Sequence, residues 1–150
     1  MKVRSTRVLP VPIETLWPML CGSRMTEPHR SPLFRLGLPR PVECRLTEGE
    51  GGVGNHRECM AANGSVHQEI TAWEPPARLE FRMVRTDLVH RWFFTSVVEE
   101  FRLTAVDSGA TRITRTTTGR IKPHVYFLCP FFKMGLKEVH RYVFRNWAAT

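Results

Sequence analysis

From Phe93 onward, apolar and polar residues first alternate with a period of two and then recur every three or four positions. The alternation over Phe93 to Val106 and over Ala110 to Ile121 predicts an antiparallel strand pair joined at Asp107-Ser108-Gly109. Beyond it, Leu128, Phe132, Leu136, Val139, Val143 and Trp147 make the apolar stripe of a closing helix, with Lys133, Lys137, Arg141 and Arg145 on the other side. Pro130 either starts the main part of that helix or kinks it. A strand meander that closes on one long helix predicts a sheet wrapped around the helix, with a cavity between them.

The preceding elements read in the same way. Lys2 to Leu9 forms a short strand, and Ile13, Leu16, Trp17 and Leu20 mark a short amphipathic helix opened by Pro12, with Pro18 late inside it. Ser23 to Leu38 is a weaker helical or irregular segment. Val42, Cys44 and Leu46 alternate with polar neighbours as a strand, and Glu48 to Gly52 is a turn. Val53 to Ala62 and Ser65 to Trp73 flank Asn63-Gly64, a strong hairpin signal. Leu79, Phe81 and Met83 then mark another strand, and Arg85 to His90 a loop. The expected fold is α+β: about seven strands in the order β-α-α-β6-α, curved around the closing helix, with residues 1–150 as one domain.

Composition narrows the function classes. At 150 residues, 42% hydrophobic and 24% charged, the chain can bury a core and is not of disordered composition. No signal peptide is visible at Met1 to Leu9, and the apolar run Val125 to Leu136 is shorter than the about 20 residues needed to span a bilayer. The expected location is the cytoplasm. Cys21, Cys44, Cys59 and Cys129 have no metal spacing and are expected as reduced, buried thiols. The net charge of +8 favours acidic partners, but the cations are scattered singly and a solvated basic surface explains them.

Three stretches carry a family resemblance. They are Val11-Pro12-Ile13-Glu14-Thr15-Leu16-Trp17 at the first helix, Ile70-Thr71-Ala72-Trp73-Glu74-Pro75-Pro76-Ala77-Arg78-Leu79 at a strand turn, and Phe101 to Ile113 at the last hairpin. With the element order, they make the chain similar to the helix-grip domains of the START-like superfamily, which includes the polyketide cyclase/dehydrase-like proteins. The resemblance implies a hydrophobic cavity and a lipid, polyketide or similar ligand. It carries no superfamily-wide catalytic motif, and fold does not fix function.

The candidate chemistry lies on inward-facing strand positions. A register pairing Leu103 with Ile113 sets Phe101 beside Arg115 and Glu99 near Thr117, making Glu99 and Arg115 diagonal, inward neighbours. Such a pair could orient a ligand or supply acid/base chemistry; it could equally be a buried structural ion pair. Gln68 shares the inward parity as a polar contact, while Arg57 is expected to snorkel to the cavity mouth. The expected ligand-binding set is Gln68, Phe81, Met83, Glu99, Phe101, Ile113, Arg115, Thr117, Tyr126, Phe132, Leu136 and Val139. His140 is expected on the helix's polar surface.

His56, Glu58, His67 and Glu69 share one face of their hairpin, with Glu58 expected opposite Glu69. A metal could be held there, but a solvated polar face accounts better for two facing carboxylates. No nucleophile motif or phosphate loop is present, so neither metal nor cofactor is expected. The leading function is binding or carriage of a hydrophobic small molecule. The alternatives are a cyclase or dehydratase using Glu99 and Arg115, and a basic membrane-docking module using Tyr126 to Phe132 with Lys122, Lys133 and Lys137. Nucleic acid lacks any accompanying recognition motif.

Overall fold

A computed structural model describes residues 1–28, 31–47 and 51–149. Strands β1 (Lys2–Leu9), β2 (Ser23–Arg24), β3 (Pro41–Leu46), β4 (His56–Ala61), β5 (Gly64–Glu74), β6 (Arg78–Thr86), β7 (Phe94–Asp107) and β8 (Ala110–Ile121) form one antiparallel sheet. Its order is β1-β8-β7-β6-β5-β4-β3-β2. The sheet curls around α2 (Cys129–Ala148), while α1 (Ile13–Cys21) lies between β1 and β2 in sequence. This is the expected helix grip, with eight strands among the described residues instead of about seven.

The added strand is β2. Together with a 3₁₀ turn at Pro32–Leu36, it replaces the expected second helix. Too few apolar residues recur at helical spacing there to bury a helix face; Pro28 and Pro32 interrupt the segment and Pro39 closes it. The expected turn over Glu48 to Gly52 lies partly outside the described residues. Pro130 sits in the first turn of α2 and starts the helix, where its missing N–H costs nothing. In α1, the Pro12 carbonyl accepts from the Thr15 and Leu16 amides, and Leu16 and Leu20 are buried on one face.

Packing divides into two clusters along α2. The larger joins Leu16, Leu20, Ile70, Phe81, Phe101, Ile113, Val143 and Trp147; Trp17 meets Trp73 edge-on at 5.3 Å. The smaller joins Phe94, Ile121 and Val125, with Phe93 and Phe132 against them. Buried apolar area of this kind supplies the main drive to fold, about 25 cal/mol per Å².

The connection from β2 to β3 is tied to the second half of α2. Asn146 Oδ1 accepts from the Thr26 and Glu27 amides, each at 2.8 Å. Tyr142 Oη donates to the Glu27 carbonyl at 2.9 Å, and Trp147 Nε1 donates to Ser23 Oγ at 3.2 Å.

The β4–β5 hairpin differs from expectation in register. Ala61 pairs with Gly64, so Ala62 and Asn63 form the loop, and His56 faces Glu69 while Glu58 faces His67. The carboxylates therefore do not oppose each other. Arg82 reaches Glu69 at 3.3 Å and Arg45 reaches Glu58 at 3.9 Å, both on the outer face. Among the described residues, no group of three or more His, Cys, Asp or Glu could hold a metal ion. Val53, where the strand was expected to begin, is exposed, because the strand starts only at His56.

The cysteine reading is corrected too. Cys44 and Cys59 face each other across β3 and β4 and are joined as a disulfide, with Cα atoms 4.1 Å apart. Their shared parity placed both on the inner face; spacing along the chain could not reveal that the strands align them. Cys21 and Cys129 remain free thiols.

Candidate ligand cavity

Between the two packed clusters, the inner face of the sheet and α2 enclose a cavity of about 640 Å³. That is within the range of about 300–1,000 Å³ usual for small-molecule sites. Gln68, Phe81 and Met83 line it from β5 and β6. Glu99, Phe101, Arg115 and Thr117 line it from β7 and β8, and Phe132, Leu136 and Val139 from α2.

Two expected residues lie elsewhere. Ile113 has the inward parity but sits farther toward the β7–β8 turn, fully buried in the packed cluster with Leu9, Leu103 and Val143. Tyr126 is 63% exposed, because the 3₁₀ turn at Pro123–Leu128 directs Val125 inward instead. A register shift between Phe94 and Ser96 also turns Phe94 into the cavity and leaves Thr95 exposed, against the simple alternation. The Phe94 ring lies over Gly119, where a Cβ would stand 2.8 Å from it.

The β7–β8 register does pair Leu103 with Ile113, Phe101 with Arg115 and Glu99 with Thr117. Arg115 Nε donates to Glu99 Oε2 at 2.6 Å. Burial pushes the Glu99 carboxyl up, but the Arg115 charge and hydrogen bond, with a further bond from Thr117, outweigh it and leave the pKa below the ordinary value. A carboxylate so held is a poor proton acceptor.

His140 departs most from expectation. It is fully buried, with Nε2 2.8 Å from Thr117 Oγ1 and Nδ1 2.8 Å from Ser5 Oγ. Burial, then Arg115, lowers its pKa to about 3, so the imidazole is neutral. Glu99 accepts only, so the Thr117 hydroxyl donates to it and receives the His140 Nε2 proton; Ser5 then donates to Nδ1. The result is a satisfied chain from Ser5 through His140 and Thr117 to Glu99. The helix stripe alone missed His140 because α2 also packs its flank against β1.

Arg57 does not reach the mouth. It is 4% exposed and lies over the Phe81 ring, 4.3 Å from its centroid. Its Nε and Nη1 are buried without a hydrogen-bond partner among the described residues. Burial, then Arg115, brings its pKa to about 10, which keeps it charged at neutral pH. His90, placed by the expected loop, also lines the cavity and has its pKa lowered by burial.

A family model described as polyketide cyclase / dehydrase and lipid transport matches residues 1–146. The chain belongs to this family. Solved structures similar to this polyketide cyclase/dehydrase-family chain share its fold. A protein from Mesorhizobium loti is 20% identical, covering 100% of this chain and 98% of that one, with a TM-score of 0.65. A START superfamily protein from Mycobacterium smegmatis is 12% identical, covering 99% and 94%, with a TM-score of 0.69. The major latex-like protein 151 of Panax ginseng is 17% identical, covering 97% and 95%, with a TM-score of 0.59. No curated protein matches the chain. Family and fold are those of hydrophobic-ligand-binding proteins.

Proposed function

We propose that this protein binds and carries a hydrophobic small molecule between the sheet and α2. The observation that carries the reading is the cavity of about 640 Å³, bounded by side chains such as Phe81, Phe101, Phe132 and Leu136 and holding a few buried polar groups. Apolar walls supply affinity, and the polar groups fix orientation. Glu99 is tied to Arg115, which favours a carrier over a cyclase or dehydratase with Glu99 as its base. Organic extraction of the purified protein should release a stoichiometric apolar compound, and lipids or polyketides should raise its melting temperature. No extracted ligand and no thermal shift would remove the proposal. A Leu136→Trp variant, with the cavity filled, should lose both signals.

A second reading is favoured by the cavity's rim. Leu36, Phe131 and Met134 line the cavity yet are exposed, and Tyr126 and Phe127 are exposed in the turn that precedes α2. With Lys122 and Lys133 nearby in sequence, this rim suits docking on an anionic bilayer, where an apolar ligand could transfer without crossing water. Binding to phosphatidylserine vesicles that weakens as salt rises supports it; no binding at low salt removes it. No helix among the described residues is long and apolar enough to cross a membrane.

A further inference from the structure

The charged groups of the cavity wall do not balance. Among the described residues, the lining side chains charged at neutral pH are those of Arg57, Glu99 and Arg115, while His90 is held toward neutrality by burial and the Met1 ammonium at the wall donates to the Gly119 carbonyl. Glu99 and Arg115 are committed to each other at 2.6 Å. One positive charge is left over, on Arg57. A guanidinium in this environment keeps its proton, and burying it without acceptors is costly. Its Nε and Nη1 meet no acceptor among the described residues, and the Phe81 ring satisfies only the flat face of the group.

We infer that the carried molecule is an amphiphile bearing a single carboxylate, and that Arg57 receives it. The inference deepens the carrier reading and rests on it. A carboxylate matches the guanidinium fork and supplies the one missing negative charge, which a phosphate dianion would overshoot. Gln68, opposite Arg57 on the β4–β5 ladder and in the same wall, adds an amide donor beside it. The apolar tail then runs toward Phe94 and Phe132, along the rest of the cavity.

The test displaces the neutral dye Nile red with dodecanoate, dodecanol and dodecyl phosphate. The wild type should bind dodecanoate about ten- to hundredfold more tightly than dodecanol, as expected for a charge-assisted hydrogen bond. Arg57→Met should bind both alike, and Arg57→Lys should keep part of the preference. Equal binding of acid and alcohol by the wild type overturns the carboxylate assignment while the carrier reading stands. Displacement by neither overturns both. Tighter binding of dodecyl phosphate overturns the single-charge match, and a preference that survives in Arg57→Met overturns the role of Arg57. If Arg57→Met does not fold, Arg57→Gln, which keeps polar donors but no charge, decides the same point.

Discussion

The imidazole of His140 bridges Ser5 on β1 and Thr117 on β8, with 2.8 Å on either side. Its folded pKa of about 3 lies below its ordinary value of 6.5, so the unfolded chain binds one more proton between those limits. Stability is therefore complete above 6.5 and falls as pH drops toward 3. One proton corresponds to a slope of up to about 1.4 kcal/mol per pH unit. Urea midpoints measured at descending pH should show this slope, and His140→Gln should flatten it. An unchanged slope in the variant would contradict the buried neutral state.

The Glu99–Arg115 pair predicts an asymmetric mutational response. Glu99→Gln leaves Arg115 uncompensated near Arg57 and should cost about 3–5 kcal/mol. A double change, Glu99→Gln with Arg115→Met, should recover much of that loss, because both charges then leave the interior together. Denaturant unfolding of the two variants checks it. Glu99's lowered pKa adds stability at neutral pH that is lost as acid protonates it.

The Cys44–Cys59 bond closes a loop between residues 15 positions apart. Loop closure of that length is worth about 3 kcal/mol in chain entropy. Dithiothreitol, or the double change to alanine, should lower the urea midpoint accordingly. The intact mass under non-reducing conditions should be lower by two hydrogen atoms than after reduction. A cytoplasmic setting would hold both residues as thiols, so equal masses would be the contrary result.

Gly119 leaves the space that the Phe94 ring occupies. In Gly119→Ala the new methyl would stand 2.8 Å from that ring and push it into the cavity. Overpacking of this kind costs about 1–3 kcal/mol. Weaker Nile red binding should accompany the lower melting temperature; unaltered dye affinity would show that Phe94 does not bound the dye's site.

Periodicity carried the reading furthest where one strand face is strongly apolar. Phe101, Leu103 and Ile113 fix the β7–β8 register, since a one-residue slip would put Ile113 on the opposite face from Phe101 and Leu103. The β4–β5 hairpin was less legible, because its loop uses Ala62 and Asn63 and its inner face carries Arg57 and Gln68 among small residues. Arg57's inward parity was readable, but how far its side chain is covered depends on the distant Phe81. His140 and the Cys44–Cys59 bond were hidden for a related reason: each depends on which elements meet, not on local pattern.

The contacts of Asn146 and Tyr142 with Thr26 and Glu27 hold one end of the β2–β3 connection by its backbone. Leu33, Leu36 and Leu38, farther along it, contribute to the chamber's side wall without being part of the sheet. Guest size is thus open to tuning on a removable panel: swaps at these three leucines resize the chamber while the fastening stays shut.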